Sequence, residues 1–305
     1  MNAPALLRYH GRRECRRASP GGTHILTAFQ AGTLLISAAL LAPAPASSQT
    51  APDPVSVLQS VRASALAYSS KLPDFICTQT THRDIWDTNG SGMLGTGISG
   101  RGALASAPDP DRAATGREIV EQVTYFDQKE NYQVLAVDGR KVTGVSHLQL
   151  QGAITAGEFG SALHDILDPD SHTTFSPGRI ENLHGRRAWV FDFRVPKEHG
   201  NIVLLRNLDR ETVVPYSGRI FVDAATLDII RIHSVLDLPP GFPLLHAETT
   251  VDYKPITIAG RRYNLPFHSE VRLQDLSRSY INSIDFRRYH QFVAESKILG
   301  QTGAH

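Results

Sequence analysis

The stretch Arg219-Ile220-Phe221-Val222-Asp223-Ala224-Ala225-Thr226-Leu227-Asp228-Ile229-Ile230-Arg231-Ile232-His233-Ser234-Val235 sets the fold. Two β-forming runs, 219–222 and 229–235, flank a turn at 223–228, and further runs follow at 248–253, 263–273 and 280–286. Pro239-Pro240-Gly241, Ala259-Gly260 and Asp275-Leu276-Ser277 separate them as turns. Consecutive strands joined by short turns pair antiparallel, because a parallel partner needs a crossover of a dozen or more residues. No helical pattern lies between these runs, so this part of the chain is predicted to be an antiparallel meander.

Upstream, the alternation is sharpest over 188–195. Trp189, Phe191, Phe193 and Val195 occupy one face and Ala188, Val190, Asp192 and Arg194 the other, after a turn at His184-Gly185. Runs 75–82, 119–126 and 132–137 read as further strands, the last leading through the two-residue turn Asp138-Gly139 to Lys141-Val142. A Gly/Ser/Asn-rich stretch over 89–102, extended past Pro108 and Pro110, reads as a long loop. One clear helix begins at Asp53, a good N-cap, with Pro54 in the first turn, and ends at Leu72-Pro73. A second, short helix is predicted over 159–167. One helix before the sheet and one inside it imply an α+β arrangement, with one sheet face buried under the helices.

The N-terminal 48 residues read as a secretory signal. Arg8, Arg12, Arg13, Arg16 and Arg17 precede an apolar run over 25–42, and Ala44-Pro45-Ala46-Ser47-Ser48 supplies small residues for cleavage near 46–49. The expected product is a single mature domain, 49–305, in the periplasm or secreted. The 18-residue apolar run keeps an uncleaved signal anchor open as the alternative. Removing the signal leaves 26 of the 31 basic and 29 of the 30 acidic residues, a net charge of −3, which excludes a broad basic surface for nucleic acid. It also leaves one cysteine, Cys77, so no intramolecular disulfide forms in the mature chain, and a buried strand thiol is expected there.

No motif in the mature chain carries catalytic chemistry. Gly95-Thr96-Gly97-Ile98-Ser99-Gly100 matches a dinucleotide pattern in letters, but Gly102, Pro108 and Pro110 prevent the helix whose N-terminus would hold a pyrophosphate. His164, Asp168 and His172 recur at four-residue intervals, but Pro169 breaks the helix that the spacing requires, and neither HExxH nor CxxC occurs. No GxSxG elbow is present. The expectation is therefore a protein without catalytic residues, cofactor or metal site. Trp189, Phe191 and Phe193 are the candidate apolar ligand lining, with a plainly packed core as the alternative.

Tyr216-Ser217-Gly218-Arg219-Ile220-Phe221-Val222-Asp223, with Thr226 and Ile229-Ile230-Arg231-Ile232, resembles the strand, Asp-led turn and returning strand of the periplasmic lipoprotein-carrier superfamily of the LolA/LolB type, whose relatives include RseB-type sensors. The helix over 58–71 matches the position of the carriers' first helix. Val251-Asp252-Tyr253, Arg262-Tyr263-Asn264-Leu265-Pro266, Ser283-Ile284-Asp285-Phe286 with Tyr289, and Leu72-Pro73-Asp74-Phe75-Ile76-Cys77-Thr78 are similar to exported proteins of acidobacteria. The resemblance implies a curved antiparallel half-barrel closed by helices around an apolar cavity. It further implies an exported, non-catalytic binding protein for a lipid, a lipoprotein acyl chain or a hydrophobic peptide, touching the membrane only transiently. An envelope protein–protein interaction module with a filled core is the alternative, and a hydrolase the third reading.

Overall fold

The computed structural model describes residues 5–9, 52–69, 71–87, 116–147, 150, 153–156, 159, 161–199, 202–206 and 210–292. The helix expected after Asp53 is α1 (Pro54–Ser69). The Ser56 N–H donates to Asp53 Oδ2 at 3.2 Å, the N-cap bond that satisfies one free helical donor. Val57, Val61 and Ala65, four residues apart, form its buried stripe. The short helix is α2 (Ser161–Leu167). The two helices are tied together by Arg62 Nε, which donates to the Leu167 carbonyl at 3.0 Å.

The strands of the main sheet are β2 (Phe75–Asp87), β3 (Arg117–Phe126), β4 (Lys129–Val137), β5 (Arg140–Lys141), β7 (Thr174–Phe175), β8 (Arg179–Leu183), β9 (Arg186–Val195), β12 (Tyr216–Asp223), β13 (Ile229–Leu236), β14 (Leu244–Ile258), β15 (Arg261–Asp275) and β16 (Arg278–Gln291). These twelve run in the order β5-β4-β3-β2-β16-β15-β14-β13-β12-β9-β7, with β8 also paired to β9. The sheet is curved, antiparallel and not closed, and with its two helices it is an α+β half-barrel. The predicted meander is the run from β12 to β16. Asp138-Gly139, His184-Gly185 and Ala259-Gly260 each place both residues at positive φ, the two-residue turn whose twist suits a hairpin. β14, β15 and β16 extend several residues beyond the runs read from the sequence, where pairing with the neighbouring strand continues past the alternating stretch.

A second, four-stranded sheet has the order β11-β10-β1-β6, formed by β1 (Ala5–Tyr9), β6 (Ala153–Ala156), β10 (Ile202–Arg206) and β11 (Arg210–Val213). β1 belongs to the segment read as the basic part of a signal; it pairs antiparallel with β10 and parallel with β6. β6 lies close to β15 and β16, and β1 close to α2. The long loop read over 89–102 and the Gly95–Gly100 motif lie outside the described residues.

One large hydrophobic cluster joins both helices to the inner face of the main sheet, from Phe75 and Val123 on one flank to Trp189 and Phe191 on the other. Cys77 is buried within it at 1% exposure, beside Tyr289. The far end of α1 is pinned to β15, where the Tyr68 hydroxyl donates to the Asn264 carbonyl at 2.5 Å. Burial pushes the Tyr68 phenol well above its usual range, with Tyr125 adding to the effect.

Candidate functional site

Inner-face residues alternate with outward ones along every strand, so the cross-strand registers lay them out in transverse rows. One row is nearly all apolar: Phe191 lies opposite Ile220, then Ile232, Val251, Ser269, Ile284, Thr81 and Ile119 follow strand by strand. The adjacent row has a different character. Phe193 lies opposite Gly218, Gly218 opposite Ser234, Ser234 opposite Thr249, Thr249 opposite Val271, Val271 opposite Asn282, and Asn282 opposite Arg83. Small and polar side chains thus cross the sheet as a belt between apolar rows.

The aromatic residues singled out in the sequence share the inner face of β9. Trp189, Phe191 and Phe193 are 7%, 1% and 3% exposed, and all three belong to the main cluster. Trp189 and Phe191 stack with centroids 6.4 Å apart, and Phe193 meets Tyr216 edge-on at 6.0 Å. Gly218 makes room for this packing. A Cβ at that position would collide with the His233 carbonyl oxygen and lie 2.9 Å from Phe193 Cζ.

The opposite flank, on β2 and β3, holds a buried polar group of residues that the sequence reading missed. Gln79 Nε2 donates to Glu121 Oε2 at 3.1 Å, and His147 Nδ1 lies 2.8 Å from Glu121 Oε1. The His147 ring stacks on Tyr132 at 4.4 Å. Arg83 Nε donates to Asn282 Oδ1 at 3.0 Å. Gln79, Arg83, Glu121, Asn282 and His147 are all buried. Burial brings the Arg83 guanidinium down to about 10, against an upward pull from Glu121, so it stays charged near neutrality. Buried charge is retained here because each group is hydrogen-bonded.

In and beside the belt, three hydroxyls have no hydrogen-bond partner among the described residues: Ser234 Oγ, Thr249 Oγ1 and Ser269 Oγ. Their residues are 1%, 3% and 0% exposed. A buried hydroxyl left unsatisfied costs about 1–3 kcal/mol, so three neighbours of this kind are an unusual concentration of cost on adjacent strands. The signal for them was present in the sequence as hydroxyl residues at inward positions, where alternation calls for apolar ones: Ser234 between Ile232 and Leu236, Thr249 between Ala247 and Val251. A single polar residue in one strand carries little weight; the register aligns them.

The histidine triplet does not converge. His164 Nδ1 lies 3.4 Å from Asp168, whereas His172 packs its ring against His199 at 4.1 Å. Among the described residues no three His, Cys, Asp or Glu side chains are placed to hold a metal ion, and no helix is long and apolar enough to cross a membrane.

No protein-family model matches the chain, and no curated protein does. Similar solved structures include a DUF1329 family protein from Desulfovibrio piger, 10% identical, covering 80% of this chain and 96% of that one with a TM-score of 0.34. LprF from Mycobacterium bovis is 9% identical, with coverage of 82% and 100% and a TM-score of 0.24. A putative outer membrane lipoprotein-sorting protein domain from Vibrio parahaemolyticus is 9% identical, with coverage of 83% and 95% and a TM-score of 0.32.

Proposed function

We propose that this is an exported, non-catalytic binding protein that holds the apolar part of a lipid, a lipoprotein acyl chain or a hydrophobic peptide against the inner face of its sheet. The observation that carries this reading is the mismatch between that face and its helical cover. Nine strands from β9 to β4 span roughly 40 Å at about 4.8 Å per strand, whereas the 16 residues of α1 form a rod about 24 Å long and 10 Å wide. Apolar inner-face residues run from Phe191 through Ile220, Ile232 and Val251 to Ile284, buried in the core cluster, so an apolar ligand would enter by displacing part of their cover.

A second reading is favoured by the β9 flank alone. There Trp189 packs on Phe191 and Phe193 on Tyr216, which suits an envelope interaction module with a filled core. A fluorescent acyl-chain probe titrated into the mature protein separates the two. On the binding reading the probe saturates and alters tryptophan emission, Phe191→Arg abolishes binding, and Phe191→Leu weakens it severalfold with the fold intact by circular dichroism. Absence of saturable binding to the folded wild type selects the interaction module.

Export with cleavage near 46–49 belongs to the same proposal. Cleavage there would remove β1 from between β10 and β6. N-terminal sequencing of protein from the periplasmic fraction checks it; an intact Met1 in the membrane fraction speaks for the anchor.

A further inference from the structure

The belt of hydroxyls marks a polar stripe inside an otherwise apolar face. Ser234 and Thr249 lie directly opposite each other on β13 and β14, and Ser269 lies diagonally beyond on β15. Three neighbouring strands at about 4.8 Å spacing, with Ser269 two residues along, place all three within roughly 12 Å. Although Ser234 and Thr249 face each other, neither hydroxyl bonds the other. Phe193 over Gly218 closes one end of the belt, and the Arg83–Asn282 pair bounds the other. Ile232 and Val251 flank the stripe on one side and Leu236 and Leu273 on the other, all of them in the core cluster.

Resting on the binding function proposed above, we infer that this stripe receives the carbonyl-bearing linkage of an acyl ester, with the alkyl chain lying along the adjoining apolar rows. The pattern dictates the class. A plain hydrocarbon would leave the three donors unsatisfied, and a strongly hydrated polyol would bury its polar groups against Ile232, Val251 and Leu273. An ester presents a few acceptor oxygens next to a long apolar chain, as the belt and its flanks require. Selection between ligands then comes from the donors left unpaired by the wrong one.

The test uses the mature protein and two competitors of a fluorescent acyl probe that differ only in the carbonyl: 1-palmitoylglycerol and its ether analogue 1-O-hexadecylglycerol. The wild type is expected to prefer the ester by about 10-fold, the worth of one or two net hydrogen bonds. In Ser234→Ala/Thr249→Val, whose side chains keep nearly the same shape, the ester-to-ether ratio should fall to within about twofold of one, while the thermal midpoint holds or rises because unsatisfied hydroxyls are gone. Ser269→Ala, made separately, should lower the ratio part of the way. A purely structural role would move the thermal midpoint and leave the ratio unchanged, which would overturn the inference. Equal binding of ester and ether by the wild type, as expected if the hydroxyls hold only water, would also overturn it and leave the binding function standing. Failure of both lipids and of the probe to bind brings down the binding function, and this inference with it.

Discussion

The two flanks of the inner face solve the same burial problem by opposite means. On β9 and β12 the sheet buries Trp189, Phe191, Phe193 and Tyr216, whose rings need only volume and a suitable edge or face. On β2 and β3 it buries Gln79, Arg83 and Glu121, with His147 from the segment after β5 set against them, and these groups are held by directional hydrogen bonds. Dispersion and hydrophobic burial vary smoothly with shape, so the aromatic flank tolerates apolar exchange. A buried polar network fails abruptly when one member is lost, because the others keep their desolvation cost without their bonds.

The largest effect is expected where that network is broken. Glu121→Ala takes the partner from both Gln79 and His147 and removes the acidic neighbour of Arg83, and should destabilise the fold by about 3–5 kcal/mol. Urea unfolding followed by circular dichroism measures it. A cost no greater than that of Phe191→Leu, expected at about 1.5 kcal/mol, would erase the contrast between the flanks.

The aromatic flank has one intolerant point. Gly218→Ala sets a methyl group against the His233 carbonyl and the Phe193 ring, where the backbone must move, and should cost about 3 kcal/mol. Relief by a second change, Phe193→Leu, would show how much of that strain lies in the ring and how much in the backbone, with a double-mutant cycle as the measure.

The smallest effect sharpens the comparison on the outer face of the aromatic flank. Burial holds His233 below the ordinary 6.5, opposed by Glu248 and assisted by Arg219, Arg231 and His246. Its folded value is lower than its unfolded one, so below 6.5 the unfolded chain takes up a proton that the folded chain refuses. Stability should therefore fall as pH drops from 6.5 toward the folded value of His233. Denaturation midpoints of His233→Gln between pH 7 and 5 should be flatter than those of the wild type.

Much of the fold was legible in the sequence because its determinants are local. Alternation in 188–195, the Asp53 cap and the turns at Asp138-Gly139, His184-Gly185 and Ala259-Gly260 depend on neighbouring dihedrals and on a period of two, and each appears in the structure as an element boundary. The short strands β7 and β8 were not legible, since two- and five-residue runs show little periodicity and owe their pairing to β9.

The sequence by itself determined the two helices, the antiparallel meander from β12 to β16 and the aromatic face of β9. Only the tertiary structure decided that β2 pairs with β16, about two hundred residues away, which brought Arg83 to Asn282, and that its other edge pairs with β3, which set Gln79 opposite Glu121. It alone aligned Ser234, Thr249 and Ser269 across three strands. The physical reason is register: alternation along one strand fixes which face a side chain occupies, but the residue it meets is fixed by the pairing of chain segments distant in sequence.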